Sequence, residues 1–101
     1  MELKGYQRKY LSSLAQKLDP AVMVGKQGGS AQVEAALDEA LSRLELVKIR
    51  FVAEKDHCEE ICRDLEKRTS STLVRVIGNT GVFYREAEDP DKRIIRIPEK
   101  K

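Results

Sequence analysis

Within 101 residues the hydrophobic period switches repeatedly between the helical and the strand value, and that alternation restricts the chain to a sheet covered by helices. Over residues 6–18 the apolar positions Tyr6, Tyr10, Leu11, Leu14, Ala15 and Leu18 recur at threes and fours with Arg8, Lys9 and Lys17 between them, which describes a basic amphipathic helix. Asp19-Pro20 ends it, because proline drives the residue before it out of the helical region, and residues 21–24 read as a short buried strand. A glycine cluster follows, Gly25-Lys26-Gln27-Gly28-Gly29. Ser30 is then a good N-cap, Glu34 suits the positive end of a helix, and Val33, Leu37, Ala40, Leu41 and Leu44 form one apolar stripe to about residue 44.

Residues 46–52 alternate, with Val47, Ile49 and Phe51 on one face and Lys48 and Arg50 on the other, the pattern of a half-buried strand with a basic outer side. Asp56 and Glu59 have the spacing of a capping box, and Cys58, Ile61, Cys62 and Leu65 give a third helical stripe ending near Arg68. Residues 72–77 and 82–85 are rich in strand formers, and Gly78-Asn79-Thr80-Gly81 between them suits a tight antiparallel hairpin. Residues 86–92 are polar and contain Pro90, hence a loop, and residues 93–97 are expected to add a short edge strand. The order α-β-α-β-α-β-β implies a single compact α/β domain. Helix crossovers favour parallel pairing and the terminal hairpin must be antiparallel, so the four-stranded sheet is mixed, in a two- or three-layer sandwich.

At this length a folded chain hides roughly two-thirds of the surface it would expose unfolded, enough for one core without metal or disulfide staples. No window approaches the roughly 20 apolar residues of a membrane span, and the first residues lack the pattern of a signal peptide, so a soluble, cytoplasmic protein with no membrane partner is expected. The net charge of +2 hides a segregation of sign: residues 1–30 carry a net +3, residues 31–66 a net −5, and residues 67–101 a net +4. If the two basic stretches meet on one face, that face attracts a polyanion while the acidic middle looks away; otherwise these are solvated helix faces laced with opposite charges.

Gly25-Lys26-Gln27-Gly28 is a G-x-x-G loop placed after a strand and before a capped helix. Glycines let a backbone approach a ligand closely, the helix start offers amide donors, and Lys26 adds charge, a combination suited to phosphate or a nucleic-acid backbone. A strand-to-helix turn that simply needs glycine has the same sequence. The spacing fits neither a nucleotide P-loop nor a dinucleotide fingerprint, so neither ATP nor NAD is implied, and no cofactor is expected.

Four collinear stretches resemble the CRM domain in its stand-alone YhbY-like bacterial form: Leu3-Lys4-Gly5-Tyr6-Gln7-Arg8-Lys9-Tyr10-Leu11, Val22-Met23-Val24-Gly25-Lys26-Gln27-Gly28, Leu46-Val47-Lys48-Ile49-Arg50, and Val76-Ile77-Gly78-Asn79-Thr80-Gly81-Val82-Phe83-Tyr84-Arg85. The resemblance runs over roughly residues 3 to 97, assigning residues 1–97 to the domain and 98–101 to a basic tail. It implies a fold like the C-terminal domain of bacterial initiation factor three, RNA binding through a KH-like G-x-x-G loop, and association with the precursor of the large ribosomal subunit. Carried onto this chain, Gly25, Lys26, Gln27 and Gly28 become the clamp on the RNA backbone, with Lys4, Arg8 and Lys9 as phosphate contacts. Lys48, Arg50, Arg75 and Arg85 join them if their sheet face is open, and are ordinary solvated strand residues if it is not. Among the aromatic residues Phe51 and Phe83 are expected in the core, whereas Tyr6 or Tyr84 would stack a base if exposed.

Two other classes of function compete. His57, Cys58 and Cys62 are a partial ligand set, but the cysteines share the stripe of Ile61 and Leu65 and the histidine does not, so core packing is the expected role and neither a metal site nor an enzyme is implied. An adaptor would dock through the acidic surface around Glu34, Asp38 and Glu39. Such a role is compatible with RNA binding, since an assembly factor that acts as a monomer can hold precursor ribosomal RNA on one face and a ribosomal protein on the other.

Overall fold

A computed structural model describes residues 2–25, 30–52 and 56–98 of the chain. Each change of hydrophobic period becomes an element: α1 (Gly5–Ala15), β1 (Val22–Val24), α2 (Ala31–Leu44), β2 (Leu46–Phe51), α3 (Cys58–Arg68), β3 (Thr72–Ile77) and β4 (Thr80–Tyr84), followed by a single 3-10 turn at Pro90–Lys92. The sheet order is β1-β2-β4-β3. β1 runs parallel to β2, and the β2–β4 and β4–β3 pairs are antiparallel, which makes the sheet mixed as expected.

The period of two along the strands divides the core. Val24, Ile49, Phe51 and Phe83 point to one side and pack under Leu37 and Leu41 of α2 and Cys62 and Leu65 of α3. Leu46, Val82 and Tyr84 point to the other and pack under Leu11 and Ala15 of α1. The sandwich therefore has three layers, with two helices on one face and a single helix on the other.

Several boundaries differ from expectation. α1 ends at Ala15, and residues 16–18 close it with tighter bonds, Lys17 N–H to Leu14 and Leu18 N–H to Ala15. β1 is half-buried: Val22 and Val24 face the core while Met23 is 55% exposed. α3 has His57 at its N-cap position, so the helix starts two residues beyond Asp56 and the anticipated capping box is displaced. β4 begins at Thr80, leaving Gly78-Asn79 as a two-residue turn in which Gly78 takes φ +55°, as hairpin turns with glycine first require. Asn79 also fastens the tip of the hairpin: its Nδ2 donates to the Phe51 carbonyl, and its own carbonyl accepts the Phe51 N–H.

Residues 93–97 form no strand, contrary to expectation. The amides of Ile94 and Ile95 go to a carboxylate instead, and that of Arg93 to the Pro90 carbonyl. Glu45, wedged between α2 and β2 with φ 63° and only 1% exposed, accepts N–H groups from Ala87 (2.8 Å), Ile94 (2.6 Å) and Ile95 (2.8 Å), while its carbonyl accepts from Arg85. One buried anion with several amide donors holds the segment without a ladder, and Ile95 and Ile97 pack on the α1-side core beneath it.

Gly81 marks the closest approach of α3 to the sheet. A Cβ there would lie 2.7 Å from the Cys62 Sγ and 3.3 Å from the Phe83 ring. Gly81→Ala should therefore cost about 1–3 kcal/mol by overpacking, and Cys62→Ala should remove most of that cost because the clashing sulfur is gone. A double-mutant cycle by urea denaturation measures it; simple additivity of the two changes would refute the contact.

Candidate nucleic-acid interface

How α1 lies on the sheet decides which part of that face stays open. Near the start of the helix Arg8 reaches down to β3, its Nη1 donating to the carbonyls of Leu73 (2.7 Å) and Val74 (3.0 Å), where the β3–β4 register shifts around an extra residue. At the other end Lys48 of β2 reaches up, its Nζ within 3.4 Å of the Ala15 carbonyl and 3.3 Å of the Leu18 carbonyl, a cation at the negative end of the helix. Pinned to β3 at one end and β2 at the other, α1 crosses the sheet obliquely.

Beyond it two rows of residues lie side by side across the strands. In the outer row Met23, Arg50, Thr80 and Ile77 come from β1, β2, β4 and β3, because Met23 pairs with Arg50, Arg50 with Thr80, and Thr80 with Ile77. The row behind it places Val82 between Lys48 and Arg75. Arg50 and Arg75 are exposed, as are Met23 and Ile77. Gly25 follows β1 at this same end of the sheet, and the hairpin tip is tied there through Asn79 and Phe51.

Gly25 is the one residue of the expected clamp inside the described residues; Lys26, Gln27 and Gly28 lie outside them. Among the described residues a Cβ on Gly25 would meet no atom within 4 Å, and its φ is outside the left-handed range. The described fold thus has no steric or conformational need for glycine at this position, unlike Gly81 and Gly78. Ser30 caps α2 as expected, its Oγ accepting the Val33 N–H.

The remaining basic candidates divide. Lys4 and Lys9 are exposed on α1. Arg8 and Lys48 hold the helix to the sheet, so both carry structural bonds that their spacing did not reveal. Arg85 belongs to the opposite face: it donates to the Asp38 carboxylate (2.6 Å), the Thr69 carbonyl (2.7 Å) and the Ser42 hydroxyl (2.9 Å), locking β4 to α2 and the end of α3. Its position immediately after Tyr84 reverses its direction relative to Arg75, and it does not join the open rows. Tyr84 itself is 1% exposed within the α1-side core and offers no face to a base.

On the α2/α3 side most of the acidic residues have arginine partners. Glu34 and Asp64 share Arg68, Asp38 pairs with Arg85, Glu39 with Arg43, and Glu59 with Arg63. Cys58 and Cys62 are buried and form no disulfide, and burial, then the nearby Cys58 and Glu59, push the Cys62 thiol up to about 12. A thiol so hard to ionise is a poor nucleophile. Among the described residues no group of three histidine, cysteine or acidic side chains is placed to hold a metal ion, and no helix is long and apolar enough to cross a membrane.

The CRS1/YhbY (CRM) domain model matches residues 3–85. The chain belongs to this family. Bacillus subtilis YqeI, named a probable RNA-binding protein, is 36% identical over 91 residues, covering 86% of this chain and 92% of its own. A Haemophilus influenzae protein named RNA-binding protein is 32% identical over 95 residues, 93% of each chain. The solution structure of Staphylococcus aureus SAV1595 superposes with a TM-score of 0.79 at 34% identity, covering 96% of this chain and all of that one. The CRM match ends at Arg85, and Ile94 and Ile95 beyond it are fastened by Glu45.

Two outcomes test this account of the CRM domain. Arg8→Met, which keeps the stem but removes the charged donor, should lower stability by about 1.5–3 kcal/mol in urea unfolding, whereas a role confined to ligand contact would leave stability unchanged. As pH rises from 9 toward 12 the unfolded chain loses the Cys62 proton and then the Tyr84 proton while the folded chain, where burial pushes both groups up to about 12, keeps them, so the urea midpoint should fall across that window; Cys62→Ala should make the decline shallower and delay its onset.

Proposed function

We propose that the protein is a non-catalytic RNA-binding protein that holds precursor ribosomal RNA of the large ribosomal subunit through the sheet end where residues 25–28 join β1 to α2. The observation that carries this reading is the open surroundings of Gly25: where the fold itself makes no demand for glycine, close approach of a ligand backbone supplies one. Membership of the CRM family and the RNA-binding names of its relatives support the same reading.

In this reading Gly25, Lys26, Gln27 and Gly28 grip the RNA backbone, and the exposed Lys4, Lys9, Arg50 and Arg75 contact phosphates around it, so the protein recognises shape and charge before sequence. Arg8 and Lys48 act by placing α1, and Arg85 acts in the fold alone. The ribosomal step rests on the resemblance to YhbY-like proteins, and the protein works there as a cytoplasmic monomer, with ribosomal proteins as neighbours.

Gly25→Ala separates clamp from turn. Stability should stay within about 0.5 kcal/mol of wild type while affinity for single-stranded ribosomal RNA fragments falls severalfold; a loss of stability with affinity unchanged would make the loop only a turn. For the ribosomal step, sedimentation of lysate through sucrose gradients should carry the wild type with large-subunit particles at low salt and release it as salt rises, with a folded Lys26→Glu, Gly28→Asp variant left at the top. Equal sedimentation of both forms, or absence of both from the particle fractions, counts against it.

A further inference from the structure

Sheet residues that face water are usually polar, yet the outer open row is flanked by Met23 at 55% and Ile77 at 47% exposure. Between them lie Arg50 and Thr80, one from each central strand. With strands about 4.8 Å apart, the row crosses roughly 14 Å of surface. Behind it Arg75 is the exposed cation, since Lys48 is turned to the carbonyls of α1. Neither row contains a carboxylate.

This surface is apolar at its flanks, has a planar cation in its centre, and its charged side chains are all cations. A ligand complementary to it has flat, uncharged faces joined by an anionic chain. Duplex RNA does not qualify, because pairing stacks its base faces away from the outside; an unpaired strand does. We propose that the row Met23, Arg50, Thr80 and Ile77 is a platform for the bases of single-stranded RNA, separate from the backbone clamp at residues 25–28. The Arg50 guanidinium stacks its plane on a base while its charge stays directed to the adjoining phosphate, the Met23 thioether and the Ile77 side chain pack against the neighbouring bases, and Arg75 faces the phosphates. The platform rests on the RNA-binding reading above and adds to it a second kind of contact, one that needs bases and depends little on their identity.

The test uses the full chain, a short fluorescein-labelled oligouridylate, and an abasic oligomer with the same ribose-phosphate backbone, with binding read by anisotropy at several salt concentrations. Met23→Ser with Ile77→Ser should weaken oligouridylate binding about five- to tenfold, leave the salt dependence unchanged, and leave the abasic oligomer unaffected. Arg50→Lys, which keeps the charge and loses the plane, should do the same, whereas Gly25→Ala should weaken both oligomers alike. Thermal unfolding checks that these surface variants fold. The platform is overturned if the double variant binds oligouridylate as wild type does, or loses equal affinity for both oligomers. It is also overturned if sedimentation equilibrium shows a wild-type dimer that the double variant abolishes, which would make the row a contact between copies. A wild type that binds neither oligomer would instead remove the RNA-binding reading on which the platform stands.

Discussion

The two cations that fasten α1 to the sheet govern the rest of the molecule. Helix and sheet would bury Leu11 and Ala15 at many crossing angles, because apolar packing is weakly directional. Arg8 bonded to the carbonyls of the β3 bulge, and Lys48 bonded to the last carbonyls of the helix, choose one of those angles. The Ala15 and Leu18 carbonyls lie where the helix ends, and those of Leu73 and Val74 flank the bulge, so each bond adds a donor at a point where the regular ladder is interrupted. The oblique crossing that results covers Leu46, Val82 and Tyr84 and stops short of Arg50 and Ile77. The open surface is thus a product of the anchors, and the residues that anchor are ones that charge alone would count as ligand contacts.

The fold was legible in the sequence wherever one physical rule acted along a continuous stretch. Alternation in residues 46–51 located a strand and its two faces, the stripe from Val33 to Leu44 located α2, and Gly78-Asn79 located the hairpin. It failed where a single distant partner decided the local structure. Residues 93–97 have the β-branched content of a strand, yet the amides of Ile94 and Ile95 are taken by Glu45, roughly fifty positions earlier in the chain. Glu45 gave only a faint signal, a lone acid between the apolar Leu44 and Leu46.

The candidate site was legible in outline and obscure in its assignments for the same reason. Arg75 and Arg85 look alike in composition, both arginines on a hairpin of strand formers. Ten residues apart on an ordinary strand they would share a face, but the Gly78-Asn79 turn resets the count, because it pairs Ile77 with Thr80, three positions on, on the same face. Arg75 emerges over the open rows, and Arg85 turns into the Asp38 and Thr69 contacts on the other side. Met23 and Ile77 were obscure because apolar residues in strands are read as core by default; only the register that aligns them with Arg50 and Thr80 shows that they share an exposed row.

The small net charge and the segregated signs fit together once the two faces are considered separately. All three acidic side chains of α2 and two of the four of α3 face an arginine from a neighbouring turn or element, which offsets much of the charge on that face locally. Exposed pairs of this kind contribute little stability, typically about 0–1 kcal/mol each. Their larger effect is on the field: at physiological salt, charges are screened beyond about 8 Å, so a partly neutralised face on the far side of a three-layer domain subtracts little from the potential over Arg50 and Arg75. A chain with a net charge of +2 can therefore present a locally cationic surface to a polyanion. Affinity at such a surface would be limited by how few cations it holds, which is where exposed apolar residues between them gain their importance: they supply contact energy that salt does not screen.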